Sequence, residues 1–354
     1  MSSRTKSPER EQLVLFRALP GDFAVRDAQD LMAYPFFSLS KSHRTTPIDF
    51  RAGGVTISVE AVPEIGMATI WDADILIWAA SQIVEARDAG LRTSRLMTAT
   101  PYQILTFIGR GVGARDYSRL KAALDRLQAT TVATSIRSRS ERRSHRFSWI
   151  NEWMERADAR GRPDGIELVV PDWFYSAVLE DALILTIDRT YFDLTGGLER
   201  WLYRLVRKHG GHQRAGWRFD LRHLYLKSGS LSAFKRFAFE LRDIIRRQPL
   251  PGYRLALEVG LAGRLWLAFE PCAWGKPVNG VVLSGTGPVV PSGTAGTCYQ
   301  EPDPALRPGI QTEIPLLNLE SNPESNISRG ARSVEKDAAE AAPRLPFDPD
   351  EAPQ

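Results

Sequence analysis

The chain has few of the residues that build disulfide-bonded or metal-centred domains. Its 354 residues include two cysteines, Cys272 and Cys298, and five histidines. Two cysteines without metal-ligand spacing exclude a disulfide framework and a cysteine-rich zinc site, and they fit a reducing compartment. We therefore expect a cytoplasmic protein with no metal and no cofactor.

Long apolar runs are also missing. The longest, ILIWAA, is far shorter than the roughly 20 residues that cross a bilayer. The first residues, MSSRTKSPEREQLVLF, lack the apolar centre of a signal peptide. A membrane partner is therefore not expected.

Common catalytic motifs do not occur. No G-x-x-x-x-G-K-[ST] motif is present, which excludes the usual phosphate loop of an NTPase. GRGVG follows a predicted helix rather than a strand, so it does not fit a dinucleotide-binding turn. HGGH (His209 and His212) lacks the His–apolar–His pair of a nicking relaxase, and PDGIELV has Val169 where a nuclease motif needs lysine. We expect no enzymatic activity.

The charge is unevenly distributed. The net charge is +4, but residues 285–354 contain 11 acidic and 5 basic residues, a net of −6. The preceding 284 residues therefore carry a net of +10. A basic body indicates a polyanionic partner.

Periodicity and composition predict an α+β fold with tandem winged-helix domains. Residues 1–50 form an N-terminal arm, 51–195 the first winged-helix domain and 196–274 the second. Residues 275–354, rich in Gly, Pro and acidic residues, are expected to be a disordered tail.

The first domain is predicted to begin with a hairpin of GGVTISVEAV and GMATIW around Pro63 and Glu64. Three helices follow: DADILIWAASQIVEARDAG, TPYQILTFIG with Thr100 as N-cap, and roughly Asp116–Ala129. TTVATSIR and HRFSWIN then flank the arginine-rich RSRSERRSHR, residues 137–146, which is predicted to be the tip of a wing. A merely solvated loop is the alternative.

The same order of elements recurs. GGLERWLYRLVRKHGG, DLRHLYLKSG and SLSAFKRFAFELRDIIRRQ are predicted helices, followed by strands GYRLALEV and RLWLAFE. SRLKAALDRL (118–127) aligns with SAFKRFAFEL (232–241) at a spacing of about 114 residues, which favours two duplicated units.

Basic and small side chains on the third helices and the wings form the predicted DNA-binding set. Arginine can bind guanine bidentately or contact a phosphate. The candidates are Arg115, Ser118, Arg119, Lys121, Arg126, Arg137, Arg139, Arg142, Arg143, Arg146, Arg214, Arg218, Ser232, Lys235, Arg236 and Arg242.

Long aromatic-rich stretches over roughly residues 10–272 carry a resemblance to a known family. They include YPFFSLSKSHRTTPIDF, GMATIWDADILIWAASQI, DWFY, LTIDRTYFDLTGGLERWLYRLVRKHGG and LKSGSLSAFKRFAFELRDII. The chain resembles the plasmid replication initiator protein A family, which is akin to TrfA-like initiators. That resemblance implies tandem winged helices on double-stranded origin repeats, opening of the adjacent DNA and recruitment of the host replicative helicase and initiator proteins, without catalysis.

Two alternatives remain at this stage. A transcriptional regulator would use the same modules, and a nicking rolling-circle initiator would use a tyrosine such as Tyr117. A homodimer is a further form in which the protein could bind DNA.

Overall fold

The computed structural model of the protein describes residues 12–138, 144–157, 160, 163–210, 216–260 and 263–272. The helices with described bounds are α1 (Gln29–Ala33), α2 (Ala73–Asp88), α3 (Pro101–Phe107), α4 (Ala114–Ala129), α5 (Asp172–Leu179), α6 (Gly197–Gly210), α7 (Leu221–Ser228) and α8 (Phe234–Arg247). The strands are β1 (Phe16–Arg17), β2 (Val25–Ala28), β3 (Ile48–Ala52), β4 (Val55–Ala61), β5 (Leu96–Ala99), β6 (Thr130–Thr134), β7 (His145–Ser148), β8 (Glu152–Ala157), β9 (Pro163–Val169), β10 (Ile184–Ile187), β11 (Trp217–Asp220), β12 (Tyr253–Val259) and β13 (Leu265–Pro271). The mixed helix-and-sheet class predicted from the sequence is confirmed.

Local signals explain where several helices begin and end. Thr100 and Gln103 form a capping box at α3, with Gln103 N donating to Thr100 Oγ1 at 3.2 Å, and Pro101 occupies the first turn. The Asp220 carboxylate caps α7 by accepting from two backbone N–H groups. Gly229 ends α7 with φ of 61°, a left-handed conformation that suits glycine.

The first repeated unit consists of α2, β5, α3, α4, β8 and β9 in chain order. β5 pairs antiparallel with β9, which pairs antiparallel with β8, while β1 adds to β5 in parallel. The resulting strand order is β1-β5-β9-β8. The strand between the first two helices therefore lies beside the last strand of the unit.

The second unit repeats this order with α6, β11, α7, α8, β12 and β13. Its sheet has the order β11-β13-β12, so the strand between its first two helices again lies beside the last strand. At the 114-residue spacing, buried Leu124 and Leu127 on α4 coincide with buried Ala238 and Leu241 on α8. The two third helices therefore bury corresponding faces.

The hairpin after α4 does not belong to that repeated pattern. β6 and β7, which flank the arginine-rich segment, join β3 and β4 in a separate sheet of order β3-β4-β6-β7. The hairpin that pairs with β5 is the later one, β8–β9, whereas the arginine-rich hairpin predicted as the first wing belongs to the other sheet. Which hairpin joins which sheet is decided by pairing between strands that are distant in sequence, and hydrophobic periodicity along the chain does not predict that pairing.

The predicted hairpin between GGVTISVEAV and GMATIW is also absent from the described strands. β4 instead pairs with β3 across Gly53 and Gly54, which have φ of 56° and 76°. Two successive residues with positive φ form the tight turn that joins antiparallel strands, and glycine adopts it most readily. Thr69 makes one isolated parallel bridge with Ser38.

The segment predicted as an arm contributes to the body of the fold. β2 pairs with β10, α1 packs against α6, and Phe36 and Phe37 are buried. The Phe37 ring stacks on Trp149 at a centroid distance of 5.0 Å. Residues 16–50 therefore share the hydrophobic core of the following elements.

Buried ion pairs connect α6 of the second unit to α2 of the first unit and to the N-terminal strand β2. Arg204 on α6 donates from Nε and Nη2 to the two carboxylate oxygens of Asp27 at 2.7 and 2.9 Å. Arg200 Nη1 lies 2.8 Å from Asp74 Oδ1 on α2, and Arg110 Nη2 lies 2.8 Å from Oδ2 of the same carboxylate. Removal of one partner from such a pair costs about 3–5 kcal/mol, so these contacts hold the units together.

No helix in the described part of the chain is both long and apolar enough to span a bilayer.

Candidate nucleic-acid interface

The outer face of α4 carries exposed candidates of the predicted set. Leu120 and Leu124 are buried on its inner face, whereas Arg115, Ser118 and Arg119 are exposed. Because residues three to four positions apart share one face of a helix, Arg115, Ser118 and Arg119 form a continuous surface. This surface is open to a ligand.

Arg119 is weakly held by its own chain. Its side chain is 61% exposed, and Nη1 lies 3.4 Å from Asp116 Oδ1 one turn earlier. A surface pair of this kind contributes about 0–1 kcal/mol and is easily exchanged for another anion. Ser118 Oγ donates to the Ala114 carbonyl at 3.1 Å and leaves the nearby surface small.

Contacts from β8 hold the β8–β9 hairpin of the first unit against α4. Lys121 Nζ lies 2.6 Å from Glu155 Oε1, and Trp153 Nε1 donates to Asp125 Oδ1 at 3.2 Å. The Lys121 side chain is still 44% exposed. The helix and the hairpin therefore present one surface, with Lys121 between them.

Arg126 faces inward rather than outward. Its Nε and Nη2 donate to the two carboxylate oxygens of Asp72 at 2.8 and 2.7 Å. The hydrogen bond with Asp72 is the main cause that raises the pKa of Arg126. A helical wheel placed Arg126 with Arg115 and Arg119, but the segment before α2 packs against that side of α4. Arg126 is therefore committed to a contact within the chain.

Arg137 is likewise engaged at the base of the β6–β7 hairpin. Its Nε lies 3.0 Å from Asp30 Oδ2, and its guanidinium lies 3.9 Å from the centre of the Trp173 ring. Burial lowers the pKa of Arg137, against the opposing effect of Asp30. Its φ of 60° turns the chain at this point. The side chain predicted for the wing tip thus anchors the hairpin.

The rest of the arginine cluster is only partly described. Arg139, Arg142 and Arg143 lie outside the described residues, as does Arg214 in the second unit. Arg146 is exposed on β7. Among its described residues, the hairpin therefore presents the exposed Arg146 side chain in addition to Arg137 at its base.

The third helix of the second unit presents a stronger basic surface. Lys235, Arg236 and Arg242 are exposed on α8, and Ser232 precedes the helix. Arg236 Nε lies 2.7 Å from Glu240 Oε1 in a surface pair. No ion pair to Lys235 or Arg242 occurs within the described ranges. These two cations are available to an external anion.

Arg218 on β11 adds a further cation near the second hairpin. Its side chain is 66% exposed, and its guanidinium lies 5.1 Å from the centre of the Trp266 ring on β13. Its Nη1 lies 3.9 Å from Glu258 Oε2. Arg218 therefore lies on the edge strand of the sheet, with only weak contacts to the rest of the chain.

Part of the basic excess in the second unit is internal. Residues 198–247 contain 13 Lys or Arg and 4 Asp or Glu, but Arg200, Arg204 and Lys227 are buried. His209 is half-buried, and its desolvation lowers its pKa to about 3. Its ring packs 5.0 Å from that of Phe219. Sequence charge counts alone therefore overstate the basic surface.

A short series of contacts connects α4 with α8. Arg126 binds Asp72, and Lys41 Nζ lies 4.9 Å from the ring centre of Trp71, the residue before Asp72. Residues on either side of Lys41, among them Ser40 and Ser42, line a cleft of about 610 Å³ together with α8. The N-terminal segment thus borders α8 directly and is connected to α4 through Trp71 and Asp72.

Sequence reasoning missed two exposed side chains near these helices. Phe239 on α8 is 63% exposed. Arg222 on α7 is exposed, with its guanidinium 5.1 Å from the Phe234 ring centre. An apolar residue off the buried stripe of α8 was the available signal for Phe239. Tyr117, the candidate for strand cleavage, is only partly exposed and packs against the core.

Comparisons with known proteins match the chain to a family profile and to a related protein. The family profile described as replication initiator protein A matches residues 26–255. A candidate replication protein of Wigglesworthia glossinidia brevipalpis is 32% identical over 228 residues, which cover 63% of this chain and 82% of that protein.

Among solved structures, a crystal structure of domains 2 and 3 of RctB matches with a TM-score of 0.49 at 14% identity, covering 66% of this chain and 94% of that one. A second structure of the same domains matches with a TM-score of 0.46 at 15% identity, covering 69% and 97%.

Proposed function

The chain belongs to the replication initiator protein A family, and on that premise we propose that it is a plasmid replication initiator whose two winged helices bind double-stranded origin repeats. In this proposal α4 and α8 enter successive stretches of major groove. β8–β9 and β12–β13 act as the wings that contact the backbone.

The repeated unit is the observation that carries this proposal. Helix, strand, helix, helix and hairpin follow in the same order twice, with the same strand neighbours. In a winged helix, the third helix of this series reads the DNA and the hairpin contacts phosphates. Here Arg119 and Lys235 stand exposed on those third helices, which supports the assignment.

The arginine-rich β6–β7 hairpin supplies an additional backbone contact in this proposal. It belongs to a different sheet from the proposed wing, and Arg137 anchors its base to Asp30. Arg139, Arg142, Arg143 and Arg146 then extend the phosphate-binding surface beyond the two helices. Each phosphate neutralised steepens the log–log salt dependence of binding by about 0.9.

We further propose that the protein has no catalytic step of its own and acts in the cytoplasm. After binding, it promotes opening of the adjacent DNA and recruits the host replicative helicase and initiator proteins. Both a monomer and a homodimer are compatible with two reading helices in one chain.

Footprinting of the purified full chain on the DNA that flanks its own gene tests the proposal. We expect protection of repeated sites, and we expect a plasmid that carries this DNA to replicate only when the protein is supplied. Protection without replication would identify a transcriptional regulator instead. A covalent protein–DNA adduct on supercoiled plasmid, lost on Tyr117→Phe, would identify a nicking enzyme.

A further inference from the structure

Phe239 occupies an unusual position on α8. Its side chain is 63% exposed, and among the described large hydrophobic residues only Val259 is more exposed. The buried face of the helix is formed by other residues, including Phe237 and Leu241. The Phe239 ring therefore contributes little to the core, and its exposure calls for an external partner.

Cations flank this ring along one face of the helix. Lys235 lies four residues before Phe239 and Arg242 three residues after it, so all three share a stripe. The Arg236 guanidinium lies 5.9 Å from the ring centre. An apolar ring thus stands in the middle of a basic surface.

A DNA major groove offers both chemistries that this stripe would recognise. Its walls are phosphates, which suit Lys235 and Arg242, and its one apolar feature is the 5-methyl group of thymine. A second protein copy would have to supply an acidic surface with an apolar centre. Because the flanking groups are cations, the charge complementarity favours DNA.

We infer that Phe239 contacts a thymine methyl group and makes α8 selective for thymine at that position of the site. This inference rests on the proposed function, in which α8 lies in the major groove. At the 114-residue spacing, the position of Phe239 is held on α4 by the exposed Asp125, which accepts a hydrogen bond from Trp153 Nε1 at 3.2 Å. The two units therefore differ in this contact, and the methyl group is read by the second unit.

The probe is a duplex selected from a random-sequence library by the purified full-length protein. In copies of it, each thymine is replaced in turn by deoxyuridine, which removes the methyl group and keeps the base-pairing edge. We expect one or two replacements to weaken binding by the wild-type protein about three- to fivefold, from burial of one methyl group. Fluorescence anisotropy measures the affinities.

Phe239→Ala should bind the thymine and uracil duplexes equally, with the weaker affinity that the wild type shows for uracil. Its melting temperature should be unchanged because the ring is exposed. Leu226→Ala is the matched control, since Leu226 is 60% exposed on neighbouring α7. It should retain the full discrimination between thymine and uracil.

Three results would overturn the inference while leaving the proposed function intact: uracil tolerated at every position, discrimination that persists in Phe239→Ala, or dissociation of a dimer by Phe239→Ala in light scattering. The last would assign the ring to an interface between copies. If no duplex is selected from the library, the proposed function and this inference both fail.

Discussion

Two arginines on α4 provide a stringent test of which side chains face DNA. Arg119 and Arg126 belong to the same helix and were both predicted to bind DNA. In the structure Arg119 is 61% exposed with one ion pair at 3.4 Å, whereas the Arg126 side chain is 29% exposed and makes two hydrogen bonds to Asp72. Replacing each by alanine should therefore affect different properties.

The expected magnitudes are well separated. Arg119→Ala removes a surface pair worth less than about 1 kcal/mol, so stability should hardly change. If Arg119 reads a base, the variant loses about 1–3 kcal/mol on the selected duplex and far less on an unrelated one. Arg126→Ala leaves the Asp72 carboxylate, 4% exposed, without its partner, at a cost of about 3 kcal/mol.

Differential scanning fluorimetry and anisotropy titrations separate the two effects. About 3 kcal/mol corresponds to a fall of roughly 6–12 °C in melting temperature for a body of this size. We expect that fall for Arg126→Ala, with unchanged affinity of the folded protein for DNA. A stable Arg126→Ala protein with weakened DNA binding would refute the reasoning. Equal loss on both duplexes for Arg119→Ala would reduce Arg119 to a phosphate contact.

Three further predictions concern the junction, the pH dependence and the hairpin. Arg204→Met should lower the free energy of unfolding by about 3–5 kcal/mol in urea, because it leaves the Asp27 carboxylate buried without its partner. Adding Asp27→Leu should recover much of this loss, since no buried charge is then unpaired. A double variant that is less stable than Arg204→Met would contradict the reasoning. Burial lowers the pKa of Lys227 from 10.5 to about 8. Between pH 8 and about 10 this residue therefore binds more protons in the unfolded chain than in the folded one, so its contribution to stability rises with pH. Lys227→Met should raise the melting temperature and remove that rise, and an unchanged pH profile would show that Lys227 titrates normally. Arg142→Ala with Arg143→Ala should lower the salt slope of DNA binding by up to about two units, and an unchanged slope would remove the hairpin from the interface.

The helices were predictable because their signals are local. The apolar period of α4 and the Thr100–Pro101 start of α3 identify these elements from a few neighbouring residues. The same holds for α8, which the structure places at Phe234–Arg247 within the predicted helix SLSAFKRFAFELRDIIRRQ. Local periodicity therefore sufficed for the order of the helices in both units.

Strand partners were not predictable in the same way. β4 finds its partner β3 across a glycine turn, and β8, with the sequence EWMERA, shows no clear alternation. Its place beside β9 depends on contacts with the whole sheet. Two hairpins, β6–β7 and β8–β9, follow α4 in the chain, and the sequence alone does not indicate which of them pairs with β5.

The direction of individual arginines also depends on tertiary contacts. Arg126 and Arg137 have the same sequence character as exposed arginines, but carboxylates from distant segments, Asp72 and Asp30, bind them. A helical wheel gives the angle of a residue and not what packs against it. In the structure these two predicted DNA-binding residues are bound within the chain, and the DNA-binding surface on α4 and α8 stays a prediction.

In the proposed function, the buried Arg200–Asp74 pair between the two units also bears on the geometry of a DNA site that α4 and α8 occupy together. Duplex DNA completes a turn every 10–10.5 base pairs. Five additional base pairs between the two recognised segments would rotate one of them to the opposite side of the helix axis, where a rigidly joined partner cannot follow. Binding by such a protein depends on the rotational position of the two segments as well as on their base sequence. An insertion of half a helical turn between them should therefore weaken binding.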